Sequence, residues 1–170
     1  MRQGQRRREL PTSNTEGPKK IKPTRLGDYL EVMSKAIFQA GMSWKVVENK
    51  WPGIQDTFHG FDAASVAGFS DRDIDTLAGD KRVIRNRRKL EAISGNARQM
   101  LELEAEHGSF AAYLRSHADF EATVKDLRKR FKFLGDTGAY FFLYVVGEEV
   151  PDHAMWSRSR GIDPETMRPA

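Results

Sequence analysis

From Leu26 onward apolar residues recur at spacings of three and four. Leu26, Tyr29, Leu30, Met33, Ile37 and Ala40 line one face of a helix for which Thr24 is an available cap. Gly41 ends that pattern, and Ser43 can cap a second helix carrying Trp44, Val46, Val47 and Trp51. Pro52 has no N–H to donate and is expected to open a further short helix through Ile54 and Phe58. Asp62 and Ser70 read as N-caps of two more short helices, the SDRD at 70–73 being a loose capping box. A long helix is predicted over 84–105, with Leu90, Ile93, Ala97 and Leu101 on one stripe. Ser109 starts the next (Phe110, Tyr113, Leu114), and Asp119 caps another (Phe120, Val124, Leu127). The segment 139–146 is apolar all round, which marks a helix at the centre of the domain. Neither a period-two alternation nor an internal repeat is present. The expected fold is therefore all-α: a compact multi-helix domain over 24–156. Residues 1–23, polar and punctuated by Pro11, Gly17, Pro18 and Pro23, read as a flexible basic arm, and 157–170 as a flexible C-terminal tail.

Length and composition narrow the function classes. A chain of 170 residues holds one domain with a real core. Without cysteine it has neither disulfides nor a thiolate metal site. No apolar run approaches the roughly 20 residues that cross a bilayer, and the basic start MRQGQRRREL leads into polar residues rather than a signal core, so the expected location is cytoplasmic. The excess of 28 Lys+Arg over 24 Asp+Glu is small, but the cations cluster at 6–8, 19–22, 81–89 (KRVIRNRRK) and 128–132 (RKRFK). Such clusters suit a polyanion, nucleic acid being the commonest, or are simply solvated helix faces. Cations in the first turn of the long helix oppose its dipole, so something other than local stability places them there.

Candidate chemistry gathers near the C-terminus. The stretch KFLGDTG at 132–138 joins two helices through a tight turn in which Gly135 can take a positive φ. Asp136 or Thr137 can cap the helix that follows. The outward N–H groups of that helix can hold a phosphate oxygen, with Lys129, Arg130 and Lys132 close by. Beyond the apolar helix, Val-Pro leads to Asp152, which reads as a helix cap or as a functional acid at a cleft edge.

Three blocks, IFQAGMSWKVV (37–47), VIRNRRKLEAISGNAR (83–98) and FKFLGDTGAYFFLYVVG (131–147), together resemble the DNA-3-methyladenine glycosylase I family, a branch of the helix–hairpin–helix glycosylases. The resemblance runs from about Leu26 to His153. It implies a helical domain that grips double-stranded DNA containing alkylated bases, everts a methylated base and cuts its N-glycosidic bond. It also implies a monofunctional enzyme acting through water, since no lysine stands at Gly138–Tyr140 where lyase relatives carry one. Residue by residue it assigns Trp44, Gln39 and Tyr140 to the base pocket and Met42 to the wedge. It assigns Lys132, Gly135, Thr137, Arg85 and Arg87 to the DNA backbone. Gln39 also reads as a helix-end amide bonded to backbone. The implied setting is a monomer at the bacterial nucleoid, working in base excision repair.

The chain departs from that family at three places. Ala36 stands where the family carries its catalytic glutamate, three residues before the glutamine. The family's structural zinc needs two cysteines and two histidines; here His153 matches one ligand and Ser157 stands in a cysteine position, so neither zinc nor any other cofactor is expected. Phe141 replaces a polar residue of the buried helix. Asp152, in a VPD segment similar to the Pro-Val-Asp of other branches of the superfamily, is the candidate catalytic replacement. A cationic N3- or N7-methylpurine leaves without needing a proton, so chemistry can survive the loss at 36. The alternative is a catalytically impaired protein that recognises alkylated or distorted DNA.

Overall fold

The computed structural model describes residues 18–161, and every regular element among them is helical. The helices are α1 (Leu26–Gln39), α2 (Trp44–Thr57), α3 (Ala63–Ala67), α4 (Asp71–Ala78), α5 (Arg87–His107), α6 (Phe110–Leu114), α7 (Phe120–Arg130), α8 (Asp136–Val145) and α9 (His153–Ser159), with a 3-10 turn at His59–Phe61. The all-α expectation therefore holds. Helix α5 packs on α1, α3, α4 and α6, while α8 packs on α1 and α7. One continuous core links these helices, with Leu30, Met33, Phe38, Leu90, Ile93 and Phe142 among its fully buried residues.

Most helix starts follow their capping residues. Asp62, Ser70, Asn86, Ser109 and Asp119 each accept a backbone N–H three residues on. Thr24 does not cap α1: Asp28 instead reaches back from the first turn to the N–H groups of Thr24 (2.9 Å) and Arg25 (3.3 Å). Pro52 does not open a helix either. It lies inside α2, which continues because Val47, Trp51, Ile54 and Phe58 form one buried stripe at spacings of four, three and four. Burial of that stripe outweighs the ~3 kcal/mol that an interior proline costs. Helix α5 begins at Arg87 rather than 84, since Val83 and Ile84 are buried from a non-helical segment, and its stripe ends on Met100 and Leu103 while Leu101 stays half-buried.

The two ends of the domain meet α8. Segment 18–23, part of the expected arm, runs beside it: Ile21 N–H donates to Val145 O (2.7 Å) and Lys20 Nζ lies 4.7 Å over the Tyr144 ring. Helix α9 carries the chain three residues past the expected boundary at Trp156, with Ser157 fully buried. Residues 1–17 of the expected arm and 162–170 of the expected tail lie outside the described residues.

A polar hub ties α6 to α7. The Asp126 carboxylate accepts hydrogen bonds from Tyr113 Oη (2.7 Å), His117 Nε2 (3.0 Å) and Arg130 Nε (3.0 Å). Burial works to raise the Asp126 pKa, but the three hydrogen bonds together outweigh it and hold the group below the usual carboxylate range. Burial and the Asp126 carboxylate push the Tyr113 phenol up. A folded-state pKa below the unfolded value means stability that is fully present above about pH 4 and lost as pH falls through the folded pKa. Asp126→Asn is expected to cost about 1–3 kcal/mol at neutral pH. Urea unfolding across pH should also show a flatter acid limb than in the parent.

Candidate nucleic-acid interface and base pocket

The hairpin between α7 and α8 is anchored from below. Phe131 and Leu134 are buried, and the buried Asn96 of α5 grips the Lys132 backbone from both sides: Lys132 N–H donates to Oδ1 (3.0 Å) and Nδ2 donates to Lys132 O (3.3 Å). The left-handed turn falls at Phe133 (φ 59), which costs a residue with a Cβ roughly 1–2 kcal/mol. It does not fall at Gly135, whose φ is −94. Gly135 is the N-cap of α8, and neither Asp136 nor Thr137 caps the helix. Beyond its own chain neighbours, no heavy atom of the described residues lies within 4 Å of the position a Gly135 Cβ would take, so the helix start is open on that side. The Asp136 carboxylate is turned aside, accepting from Arg128 (2.9 Å) and Arg160 (2.9 Å).

Around this start runs an open groove of about 1050 Å³, lined among others by Lys125, Arg128, Lys129, Lys132, Phe133 and Arg160. Lys132 and Gly135 are exposed there, and Thr137 is half-exposed on the first turn of α8. Arg85 and Arg87 do not line the groove. Arg85 is exposed and unpaired among the described residues. Arg87 is committed to Asp75 and to Glu91 (2.9 Å), so its charge is already neutralised within the protein.

The other half of the site is the end of α1 and the turn into α2. Ala36 and Gln39 are buried on α1, and no described group hydrogen-bonds the Gln39 amide. Gly41 (φ 78) turns the chain, Met42 N–H donates to Gln39 O (3.2 Å), and the half-exposed Met42 side chain rests on the core edge. Trp44 opens α2. Its indole is half-exposed and meets Phe141 edge-on at 5.7 Å. Its Nε1 is buried and has no hydrogen-bond partner among the described residues.

Lys89 explains why a cation stands in the first turn of α5. Its Nζ donates to Ile37 O (2.8 Å) and Ala40 O (2.9 Å), the carbonyls at the negative end of α1. Burial lowers its pKa from the usual lysine value. The dipole of α5 is opposed so that the end of α1, and with it the Met42–Trp44 turn, is fixed.

Tyr140 and Asp152 form a separate cluster with α9. Tyr140 does not join Trp44: its ring stacks on Trp156 (4.7 Å, 28°) and meets Phe120 and His153 edge-on, while its hydroxyl donates to Pro151 O (2.6 Å). Burial first, then Asp152, raises the Tyr140 pKa. Asp152 is exposed and caps α9, Oδ1 accepting the Met155 N–H (3.0 Å). The positions matching zinc ligands in the family, His153 and Ser157, are hydrogen-bonded to each other at 3.3 Å. No group of three or more potential ligands gathers among the described residues, so this donor set does not fit a tetrahedral zinc. Helix α9 is held instead by Trp156 and by Arg160, which lies over the Trp156 ring (5.7 Å) and pairs with Glu121 and Asp136.

Sequence reasoning passed over Lys89, Asn96, Phe133 and Arg160. A signal existed for two of them: Lys89 opposes its own helix dipole, and Asn96 interrupts an apolar stripe.

Residues 27–159 match the family model described as methyladenine glycosylase. The chain is 33% identical over 138 residues to DNA-3-methyladenine glycosylase 1 of Escherichia coli, covering 69% of this chain and 73% of that protein. It is 32% identical over 136 residues to the DNA-3-methyladenine glycosylase of Haemophilus influenzae, covering 68% and 73%. Among solved structures it is similar to 3-methyladenine DNA glycosylase I from Staphylococcus aureus (TM-score 0.63, 26% identity, 75% of this chain and 79% of that one). It is also similar to a 3-methyladenine DNA glycosylase I solved in complex with 3-methyladenine (TM-score 0.67, 26% identity, 80% and 84%).

Lys89→Met leaves two helix-end carbonyls without their donor. The expected cost is about 1–3 kcal/mol by urea unfolding. Amide exchange should speed up at 40–44 before it does in the α5 core, and Lys89→Arg should restore part of both losses.

Proposed function

The chain belongs to the methyladenine glycosylase family, and from that membership we propose that it is a monofunctional DNA N-glycosylase. It excises alkylated purines of the 3-methyladenine type by base flipping, in base excision repair. The observation that carries this reading is Trp44: a half-buried indole at the α1–α2 turn, braced edge-on by Phe141, with a buried N–H that has no acceptor among the described residues.

In this reading duplex DNA lies across the hairpin. Lys132, Gly135 and Thr137 surround the uncapped start of α8 and take a phosphate there, where N–H groups and the helix dipole favour an anion. Met42, unbranched and half-exposed, enters the base stack as the nucleotide leaves it. The everted methylpurine carries a positive charge and stacks on the Trp44 face, which favours it over a neutral base by about 1–2 kcal/mol once water is excluded. An acceptor on the base would also relieve the indole N–H, which is unpaired among the described residues, and Gln39, buried at the end of α1, is assigned to the same pocket.

The methylated base is already a good leaving group and departs without a proton. What remains is to steady positive charge on the sugar and admit water. Ala36 offers nothing to that step. Asp152, which stands with Tyr140 beside α9 rather than with Trp44, is the carboxylate proposed for it: Oδ1 serves the α9 cap, while Oδ2 has no hydrogen-bond partner among the described residues. Arg85 belongs to the DNA-facing cations in this reading, whereas Arg87 contributes through its ion pairs. The protein works as a monomer at the bacterial nucleoid, and no helix among the described residues is long and apolar enough to cross a membrane.

Ala36 favours a second reading, a protein that binds alkylated or distorted DNA without cutting it. Release of free 3-methyladenine, 7-methylguanine and 3-methylguanine from methylated duplex decides between the two. The enzyme reading expects release of 3-methyladenine, slowed about 5- to 30-fold by Trp44→Ala. It also expects a further loss in Asp152→Asn that exceeds any change in Tm. No release, combined with tight and salt-sensitive DNA binding, establishes the binder instead.

A further inference from the structure

Three residues other than glycine adopt positive φ among the described residues: His59 (53), Phe61 (59) and Phe133 (59). The first two share the 3-10 turn after α2, and tertiary contacts account for them. Phe61 is fully buried and stacks on Phe58 (5.2 Å, 1°) and Trp51 (5.5 Å, 9°), while the His59 ring leans on Phe69 (5.7 Å). Phe133 has no such return. The residue is 48% exposed, and its ring meets no other aromatic ring among the described residues. The fold nevertheless enforces the conformation, because Asn96 clamps the preceding residue, Lys132, through both its N–H and its C=O, and Phe131 and Leu134 are buried on either side. A large apolar side chain is thus pushed outward, at a conformational cost, from a hairpin whose own core gains nothing by it.

Its surroundings identify the occupant. Phe133 is the exposed apolar side chain of the groove and is flanked there by Lys125, Arg128, Lys129 and Lys132, while the two acids of the lining, Glu121 and Asp136, are paired with Arg160 and Arg128. A nucleic acid strand has the matching alternation, anionic phosphates separated by the apolar faces of deoxyribose. A hydrophobic protein surface would instead have to desolvate these cations to reach one ring. We infer that Phe133 is a DNA-contact residue whose ring packs against a deoxyribose of the strand held by the groove cations. The contact extends the interface from point charges to a shape-fitted surface and fixes the strand's register along the hairpin. The inference rests on the DNA-binding reading above but not on catalysis.

The test separates an apolar contact from an ionic one. Binding of a fluorescein-labelled undamaged duplex is followed by anisotropy across a salt series for the parent, Phe133→Gly, Phe133→Tyr and Lys132→Ala. Phe133→Gly is expected to weaken binding on the order of tenfold with the slope of log K against log salt unchanged, since a ring releases no counterions. Its Tm should hold or rise, because glycine accepts that φ freely. Phe133→Tyr should bind like the parent, and Lys132→Ala should flatten the slope by about 0.9. Parent-like affinity in Phe133→Gly overturns the inference, as does a loss of affinity accompanied by a flattened slope. Base release on the same preparations keeps the two readings apart. Phe133-dependent binding without base release leaves the inference standing and removes the enzyme. Base release with Phe133→Gly binding like the parent does the reverse.

Discussion

The packing of α8 against α1 sets the distance between the hairpin and Trp44, and the proposed site depends on that packing being close. Gly138 and Ala36 meet at this crossing. A Cβ on Gly138 would stand 3.8 Å from the Ala36 Cβ and 3.1 Å from Leu134 Cδ1. Small residues on both helices let the backbones approach, so one end of α8 carries the hairpin turn while Phe141, two turns from its start at most, braces Trp44. The substitution that removes the family's acid is therefore also part of the helix contact that joins the two halves of the site.

Charge in this protein is divided between holding the scaffold and facing outward. Lys89 closes the end of α1, Arg87 ties α4 to α5, and Arg130 feeds the Asp126 hub. Lys125, Lys129 and Lys132 are left to the groove. Arg128 and Arg160 occupy a middle position, lining the groove while holding Asp136 away from the helix start. An acid in the first turn of α8 favours the helix but repels a phosphate, and the two arginines reconcile those demands. Because ion pairs within the fold engage many of the cations, the few left facing the groove say more than the small net excess.

The C-terminal closure follows the same economy. Where the family resemblance implies a zinc tie, a stacked Trp156–Tyr140 pair, the Asp152 cap and Arg160 hold α9 against α7 and α8. Because Arg160 also reaches Asp136, docking of α9 and the electrostatics of the hairpin are linked through one side chain. A burial-driven clasp needs no metal, and it keeps Tyr140 away from the pocket the sequence suggested for it.

Local rules determined a great deal. Capping residues and apolar spacing are properties of neighbouring residues, so the first half of α2, the other helices from α1 to α8 and the all-α class could be read from the chain. The hairpin and the Met42–Trp44 turn were legible for the same reason, being continuous motifs. What the sequence did not contain was the outcome of competition between distant groups. Pro52 stays inside a helix because a stripe on α2 finds a core to enter. Lys89 stands in the wrong turn for its own helix because α1, some fifty residues earlier, offers it two carbonyls. The left-handed residue is Phe133 and not the nearby glycine, because Asn96 fixes the residue before it. Backbone preference and capping are settled within a few residues of chain, whereas burial and charge pairing depend on which surfaces meet, and only the folded chain decides that.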